Sequence, residues 1–235
     1  MCKKVDIIYP LGNGSKWNDN ELRYSLRSLE MYGINVGKVI IVGTRNPEWL
    51  VNVDYIHDNP NIMNYHAKIA MAYYKSSEKV TDEFVIMNDD FFLLEKTDFA
   101  TFKNKERGNS LKHHLATYGT GYFYGKQIEN TVNNLSTDRH FDSHYPMKLN
   151  RGKFRGLYDK FKDKIENKTT ILIRSLYGNY YNIEAEILDD LKITSNYNLP
   201  VKNRFCFSIG DNGLTDKMKA YLQELYPNQS KYERI

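Results

Sequence analysis

The stretch EFVIMNDDFF, Glu83–Phe92, decides the fold. Its first half is a short apolar run of the kind that forms a strand buried on both faces. Its second half sets two carboxylates, Asp89 and Asp90, at the strand's end and follows them with two phenylalanines. Glu83–Asp90 is therefore read as a strand, and three like it lie upstream: VDIIYP (Val5–Pro10), KVIIVGT (Lys38–Thr44) and VDYIHD (Val53–Asp58). Between the first two lies the turn-rich LGNGSKWNDN, then a helix from about Glu21 in which Leu22, Leu26 and Leu29 share one face. Asp19 or Asn20 is placed to cap it and Gly33 to end it. A second helix is expected from about Asn64 to Lys79. Strand and helix alternating at this spacing predict a mostly parallel α/β sheet with right-handed crossovers. In such sheets a ligand lies beyond the carboxyl ends of the strands. That rule gathers Pro10–Gly14, Gly43–Arg45 and Asn88–Asp90 around one mouth.

Composition narrows the class. The chain has 235 residues, 41% hydrophobic and 26% charged, which excludes a disordered, collagen-like or coiled-coil protein and suits one elaborated domain. No apolar run approaches the ~20 residues of a membrane-spanning helix. The start, MCKKVDIIYP, has no apolar h-region, and two cysteines, Cys2 and Cys206, make no disulfide framework. A cytoplasmic protein is expected. Net charge is +4, a slight bias towards anionic partners. The 19 tyrosines fit sugar or base stacking, and equally an AT-rich coding genome.

In the second half, Gly152–Asn167 reads as a basic amphipathic helix and Thr215–Pro227 as a C-terminal helix. Basic and aromatic residues interleave over Lys148–Lys168, which suits a polyanion or, equally, a solvated helix with Phe154, Leu157, Tyr158 and Phe161 inward. Adjacent His113 and His114 make a poor chelate, and there is no zinc-type cluster. No nucleophile elbow, P-loop or complete G-x-G-x-x-G is present. Asp89 and Asp90 instead offer the hard oxygen ligands that Mg²⁺ or Mn²⁺ takes beside a phosphate; a solvated acidic turn would look the same. His144, in FDSHYPMK, sits in a loop-like stretch held by Pro146, where a general base or a phosphate contact can lie, as can a plain packing histidine.

Four ordered segments resemble the conserved regions of the Stealth family, the sugar-phosphate transferases of bacterial capsule synthesis and of lysosomal-enzyme tagging. VDIIYP resembles the first, with Leu11–Gly14 in place of the family's V-D-G. DNELRYSLRSLEMYG, KVIIVGTRNPEWL, NYHAKIA and FVIMNDDFF together resemble the second and longest. SHYPMK resembles the third, and RFCFSIGDNGLTDKMKAYLQELYPNQSKYE the fourth. The resemblance implies a single GT-A-like domain over 1–235, with a nucleotide-sugar-binding half (1–100) and an acceptor-side half (101–235).

It further implies a metal-dependent transferase that moves a sugar or sugar-1-phosphate from a nucleotide-sugar, a UDP-sugar foremost, to a hydroxyl acceptor. Asp90, His144 and Arg174 are then expected to be catalytic. Tyr9, Gly12, Arg23, Asn64 and Asn88 are expected on the donor side, and Asp89, Asp90, Asp211 and Asn212 on a Mg²⁺ or Mn²⁺ ion. An arginine offers the forked donor set that phosphate oxygens take, and a histidine near the acceptor hydroxyl could remove its proton. The acceptor is a glycan, as for capsule enzymes, or a hydroxymethylated DNA base, as in phages. Two other readings stay open: a non-catalytic nucleotide-sugar or polyanion binding module, and a metal-dependent phosphohydrolase or nuclease.

Overall fold

The structure, a computed structural model, describes residues 3–62 and 64–234. Cys2 lies outside the described residues, and Cys206 is a buried free thiol. The elements run β1 (Val5–Leu11), α1 (Asn20–Tyr32), β2 (Gly33–Ile34), β3 (Val36–Gly43), β4 (Asp54–His57), α2 (Tyr65–Ser76), β5 (Glu83–Ile86), β6 (Phe91–Leu93), β7 (Thr97–Asp98), β8 (Asn104–Glu106), α3 (Leu111–Tyr118), α4 (Phe123–Val132), β9 (Met147–Asn150), α5 (Arg151–Ile165), α6 (Ile173–Tyr180), β10 (Ala185–Ile187), β11 (Lys192–Ile193), β12 (Cys206–Ile209) and α7 (Asp216–Leu225).

The central sheet has the order β4-β3-β1-β5-β9, parallel throughout except for β9, which runs antiparallel to β5. Every residue of β1 is buried, as expected of a middle strand covered on both faces. Its side chains alternate between the two layers. Val5, Ile7, Tyr9 and Leu11 meet Leu22, Leu26 and Leu29 of α1, while Ile8 faces Ala70 and Tyr73 of α2 and, through Phe84 of β5, Phe154 of α5 and Leu176 of α6. The period of two in the strand and 3.6 in the helices thus makes an α/β/α arrangement from one continuous chain. Asp6, 2% exposed, is the polar exception in β1. Its carboxylate accepts from Lys38 N (2.7 Å) and Thr81 N (2.9 Å), pinning the amino end of β1 to both neighbours.

A second, three-stranded sheet, β11-β12-β6, carries the other side of the mouth. Its Phe92, Phe207 and Ile209 pack against Met218, Leu222 and Tyr226 at the C-terminal helix. Helix α1 joins the two sheets: Ser25 Oγ donates to Phe91 O (2.5 Å), and Ser28 Oγ accepts from Leu93 N (3.0 Å). The C-terminal Glu233 accepts two bonds from Arg27 (2.8 and 2.7 Å) and one from Ser230 N (2.9 Å), which fastens the tail to α1.

Two expectations are corrected. The strand read as Glu83–Asp90 ends at Ile86. Phe91 and Phe92 belong to the second sheet, so Asn88–Asp90 form the corner between the two sheets rather than a strand's free end. Asp19 occupies the cap position of α1 but makes no capping bond, because its carboxylate is engaged by Arg45 at 2.7 Å. Gly33 ends α1 in extended backbone, where a Cβ would lie 2.6 Å from Leu29 O. The basic stripe is the outer face of α5, with Phe154, Leu157, Tyr158 and Ile165 buried and Phe161 partly so. No helix among the described residues is long and apolar enough to cross a membrane.

Candidate active site

Two connected hollows lie over the carboxyl ends of β1 and β3 and the corner after β5. The first is lined by Leu11, Asn13, Gly43, Thr44, Asp58 and Lys68, the second by Ser15, Asp89, Asp90, Lys192 and Asp211, and both touch Gly12 and Tyr65. The mouth gathered from the sequence is present, with two changes: Arg45 turns to Asp19 and Asn88 to Tyr73. Gly43 forms part of its wall as bare backbone, since a Cβ there would stand 2.6 Å from Leu11 O.

Asp90 is the best-defined acid of the cleft. Its Oδ2 accepts from Ser208 Oγ (2.9 Å) and lies 3.3 Å from Lys192 Nζ. Its Oδ1 is buried and has no hydrogen-bond partner among the described residues. A buried carboxylate oxygen left unpaired is costly unless something absent from the protein itself meets it. Asp89 is held well above the usual carboxylate range, first by burial and then by the charges of Asp90 and Glu21. A bound cation would reverse that balance. The donor set therefore fits a hard divalent ion, with Asp89 and Asp90 as oxygen ligands and substrate oxygens free to complete the shell.

The expected four-ligand set does not converge. Among the described residues no three His, Cys, Asp or Glu side chains come together as a metal-ligating group. Asp211 lines the same cleft but is exposed and faces Lys16 at 3.5 Å, and Asn212 is exposed in the loop beyond it.

The donor-side residues divide. Gly12 lines both hollows. Asn88 turns its Oδ1 to the Tyr73 hydroxyl (3.0 Å), away from the acids beside it. Tyr9 is fully buried beneath the cleft, its hydroxyl 3.4 Å from Met87 Sδ. Asn64 caps α2, accepting from Ala67 N (3.2 Å) and donating to Lys168 O (2.8 Å), so its amide is spent on structure. Arg23 stacks on Trp49 at 4.6 Å and stands 3.6 Å from Glu233, outside the lining of either hollow. These last two departures share a cause: a polar residue on a helix can serve a cap or a tail as well as a ligand.

His144 is oriented by Asp190. Its backbone N donates to Asp190 Oδ1 and its Nδ1 lies 2.7 Å from Asp190 Oδ2. Burial alone would raise Asp190, but the hydrogen bonds and charge of His144 and the charge of Arg107 bring it down to about 2. An ionised carboxylate can only accept, so Nδ1 carries the proton, and Nε2 is the ring nitrogen that Asp190 leaves free. The expected free fork of Arg174 is not there: the residue is 7% exposed. Its Nη1 donates to Ser143 O (3.1 Å) and Tyr145 O (2.7 Å), the carbonyls on either side of His144. The guanidinium stacks on Phe91 at 5.4 Å, and His144 meets the same ring edge-on at 6.3 Å. Arg174 thus clamps the histidine loop, with one buried nitrogen, Nη2, unpaired among the described residues. Asp190, Lys192 and Ser208 were not singled out from sequence. The only signal for Asp190 was a second Asp-Asp pair, Asp189-Asp190, without a long apolar run before it.

No protein-family model matches the chain, and no curated protein does. Solved structures do. The galactosyltransferase LgtC, in complex with donor and acceptor sugar analogs, aligns over 97% of this chain and 98% of its own, with a TM-score of 0.55 at 10% identity. The glycosyltransferase GlyE of Streptococcus pneumoniae TIGR4 covers 79% of this chain and 45% of its own (TM-score 0.42, 13% identity). HddC of Yersinia pseudotuberculosis covers 65% and 79% (TM-score 0.35, 12% identity). The match to LgtC, end to end, gives the chain the GT-A-like α/β fold: a mostly parallel sheet flanked by helices.

Proposed function

We propose that this protein is a metal-dependent transferase that moves a sugar, or a sugar-1-phosphate, from a nucleotide-sugar to a hydroxyl acceptor. Asp90 is the observation that carries the reading. It is a carboxylate fixed by Ser208 and Lys192, with its second oxygen buried and unpaired, at the carboxyl-end cleft of a GT-A-like sheet. The strands of residues 1–100 hold the donor. Its nucleoside suits the hollow lined by Leu11, Thr44 and Asp58, and its diphosphate the neighbouring hollow with Lys192. Asp89 and Asp90 would hold Mg²⁺ or Mn²⁺, in the hollow that Asp211 also lines; such an ion would neutralise the diphosphate.

Residues 101–235 supply the acceptor side. His144 Nε2 takes the proton of the attacking hydroxyl, and Asp190 steadies the imidazolium that results. For sugar transfer, the acceptor oxygen bonds to the anomeric carbon and the nucleoside diphosphate leaves. For sugar-phosphate transfer, it bonds to the phosphorus nearest the sugar and the nucleoside monophosphate leaves. Arg174 is a positioning residue, acting through the loop it clamps. A nucleotide-sugar binder without catalysis would have no use for a histidine oriented by a buried carboxylate.

Products formed from mixed nucleotide-sugars, Mn²⁺ and candidate hydroxyl acceptors, read by mass spectrometry, test this directly. A mass gain of sugar, or of sugar plus phosphate, is expected, and each names its bond. Asp90→Ala should lower turnover at least 10³-fold with an unchanged melting temperature, and EDTA should stop the wild-type reaction. Full activity in EDTA would remove the metal. Free phosphate or nicked DNA in place of a sugar adduct would replace the transferase with a hydrolase.

A further inference from the structure

A second cavity, of about 590 Å³, opens between α3, α4 and the segment Leu188–Asp190. It is within the size range of small-molecule sites. Tyr118, Tyr122, Tyr124 and His114 form an aromatic wall, with Tyr118 65% and Tyr122 37% exposed. The wall is organised: His114 stacks near Tyr118 at 4.8 Å, and its Nε2 lies 2.8 Å from the Tyr122 hydroxyl. Polar groups wait at the base. His140 is 1% exposed, and its Nδ1 has no partner among the described residues; Arg107 Nε is likewise buried and unpaired. The cavity is tied to the base described above, because Asp190 lines it and binds both Arg107 and His144.

Charge decides what such a cavity takes. Burial and Arg107 push His140 down to about 3, and burial lowers His114, so both are neutral at pH 7. The cation of Arg107 is spent on Asp190, and Asp189 adds a second carboxylate, answered only by Arg204 at 4.0 Å. A nucleic-acid strand requires unpaired cations along its phosphates, and among the described residues this lining presents none. Flat exposed rings beside carboxylate, guanidinium and imidazole groups suit instead a ligand with an apolar C–H face and a rim of hydroxyls. We infer that this cavity is the acceptor site and that its ligand is a neutral oligosaccharide, stacked on Tyr118 and Tyr122 and registered to His144 through Asp190. The inference rests on the transferase reading.

The test compares the full wild-type chain with Tyr118→Ala/Tyr122→Ala, two exposed side chains whose removal leaves the core intact. Both proteins are applied to an array of neutral oligosaccharides and titrated with labelled single-stranded DNA at several salt concentrations. Thermal stabilisation by UDP with Mn²⁺ is recorded alongside. Wild-type binding to a subset of neutral glycans, weakened at least tenfold in the variant while UDP–Mn²⁺ stabilisation is equal in both, is the expected result. Absent glycan binding, glycan binding unchanged in the variant, or salt-dependent DNA binding that the variant abolishes would overturn the inference. Failure of the transferase reading shows separately, as absence of UDP–Mn²⁺ stabilisation in both proteins.

Discussion

Two walls of the molecule, one over the strand ends and one around His144, hold their chemistry by different means. On one, β1, β3 and β5 are short apolar strands, and the chain reverses just past their ends; Gly12, Thr44 and Asp89 lie where the backbone leaves the sheet. On the other, helices and irregular segments are held by polar side chains. Arg174 bonds the carbonyls around His144, Asp190 takes the histidine and Arg107, and Asn179 ties Thr137 and Arg139 to α6 through three hydrogen bonds. The first wall is shaped by burial, which tolerates exchange of one apolar residue for another of like volume. The second depends on individual partners and loses its geometry with any one of them.

The largest test of that difference is Asp190→Asn. The amide can still accept from the backbone N of His144, but it lacks the charge that fixes the tautomer and steadies the imidazolium. Transfer should fall about 10²- to 10³-fold, while UDP–Mn²⁺ still stabilises the protein, because the strand-built wall is untouched. Equal loss of nucleotide binding would show that the two walls are not separable.

Glu233 asks the same of stability rather than of turnover. Burial would raise its carboxyl, but hydrogen bonds from Arg27 and Ser230 hold it below the ordinary value of 4.5. Its contribution is therefore full at neutral pH and is lost as acidification passes 4.5 and reaches the lowered native value. Glu233→Gln strands the guanidinium of Arg27, itself only 11% exposed, and should cost about 3 kcal/mol in denaturant unfolding at pH 7. At pH 3 the two proteins should converge. A gap that persists undiminished at pH 3 would mean the tail is held by packing and not by the ion pair.

The contrast also explains what could be read from the chain before its structure. Strands such as VDIIYP and KVIIVGT carry their burial in a local pattern, so β1, β3 and the mouth were legible to within a few residues. So was α1, whose leucines repeat at helical spacing. Helices α3, α4 and α6 were not, because each is only 8 to 10 residues long, too short for a pattern to stand out, and is fixed by distant partners. The pairing of His144 with Asp190 spans 46 residues, and nothing local marks it. Asn64 and Arg23 fail for the complementary reason. Both stand in segments of family resemblance, but one residue serves a helix cap and the other the tail, uses a resemblance does not separate from ligand binding.

Helix α5 gives the smallest expected effect and the sharpest limit on charge as evidence. Its basic residues divide into two kinds. Arg151 and Arg155 are tied down, to Val80 O and Asp82 and to Tyr74 O, Ser77 and Glu78. Lys153 and Lys162 are solvent-exposed and flank the face that buries Phe154 and Leu157. Surface charges of this kind contribute within about ±0.5 kcal/mol. Lys153→Gln together with Lys162→Gln should therefore leave melting temperature, turnover and salt dependence within twofold of wild type. A marked drop in turnover at low salt alone would make this face a second, electrostatic contact for an anionic acceptor, and would set the charge of α5 against the aromatic cavity as the place where acceptor is chosen.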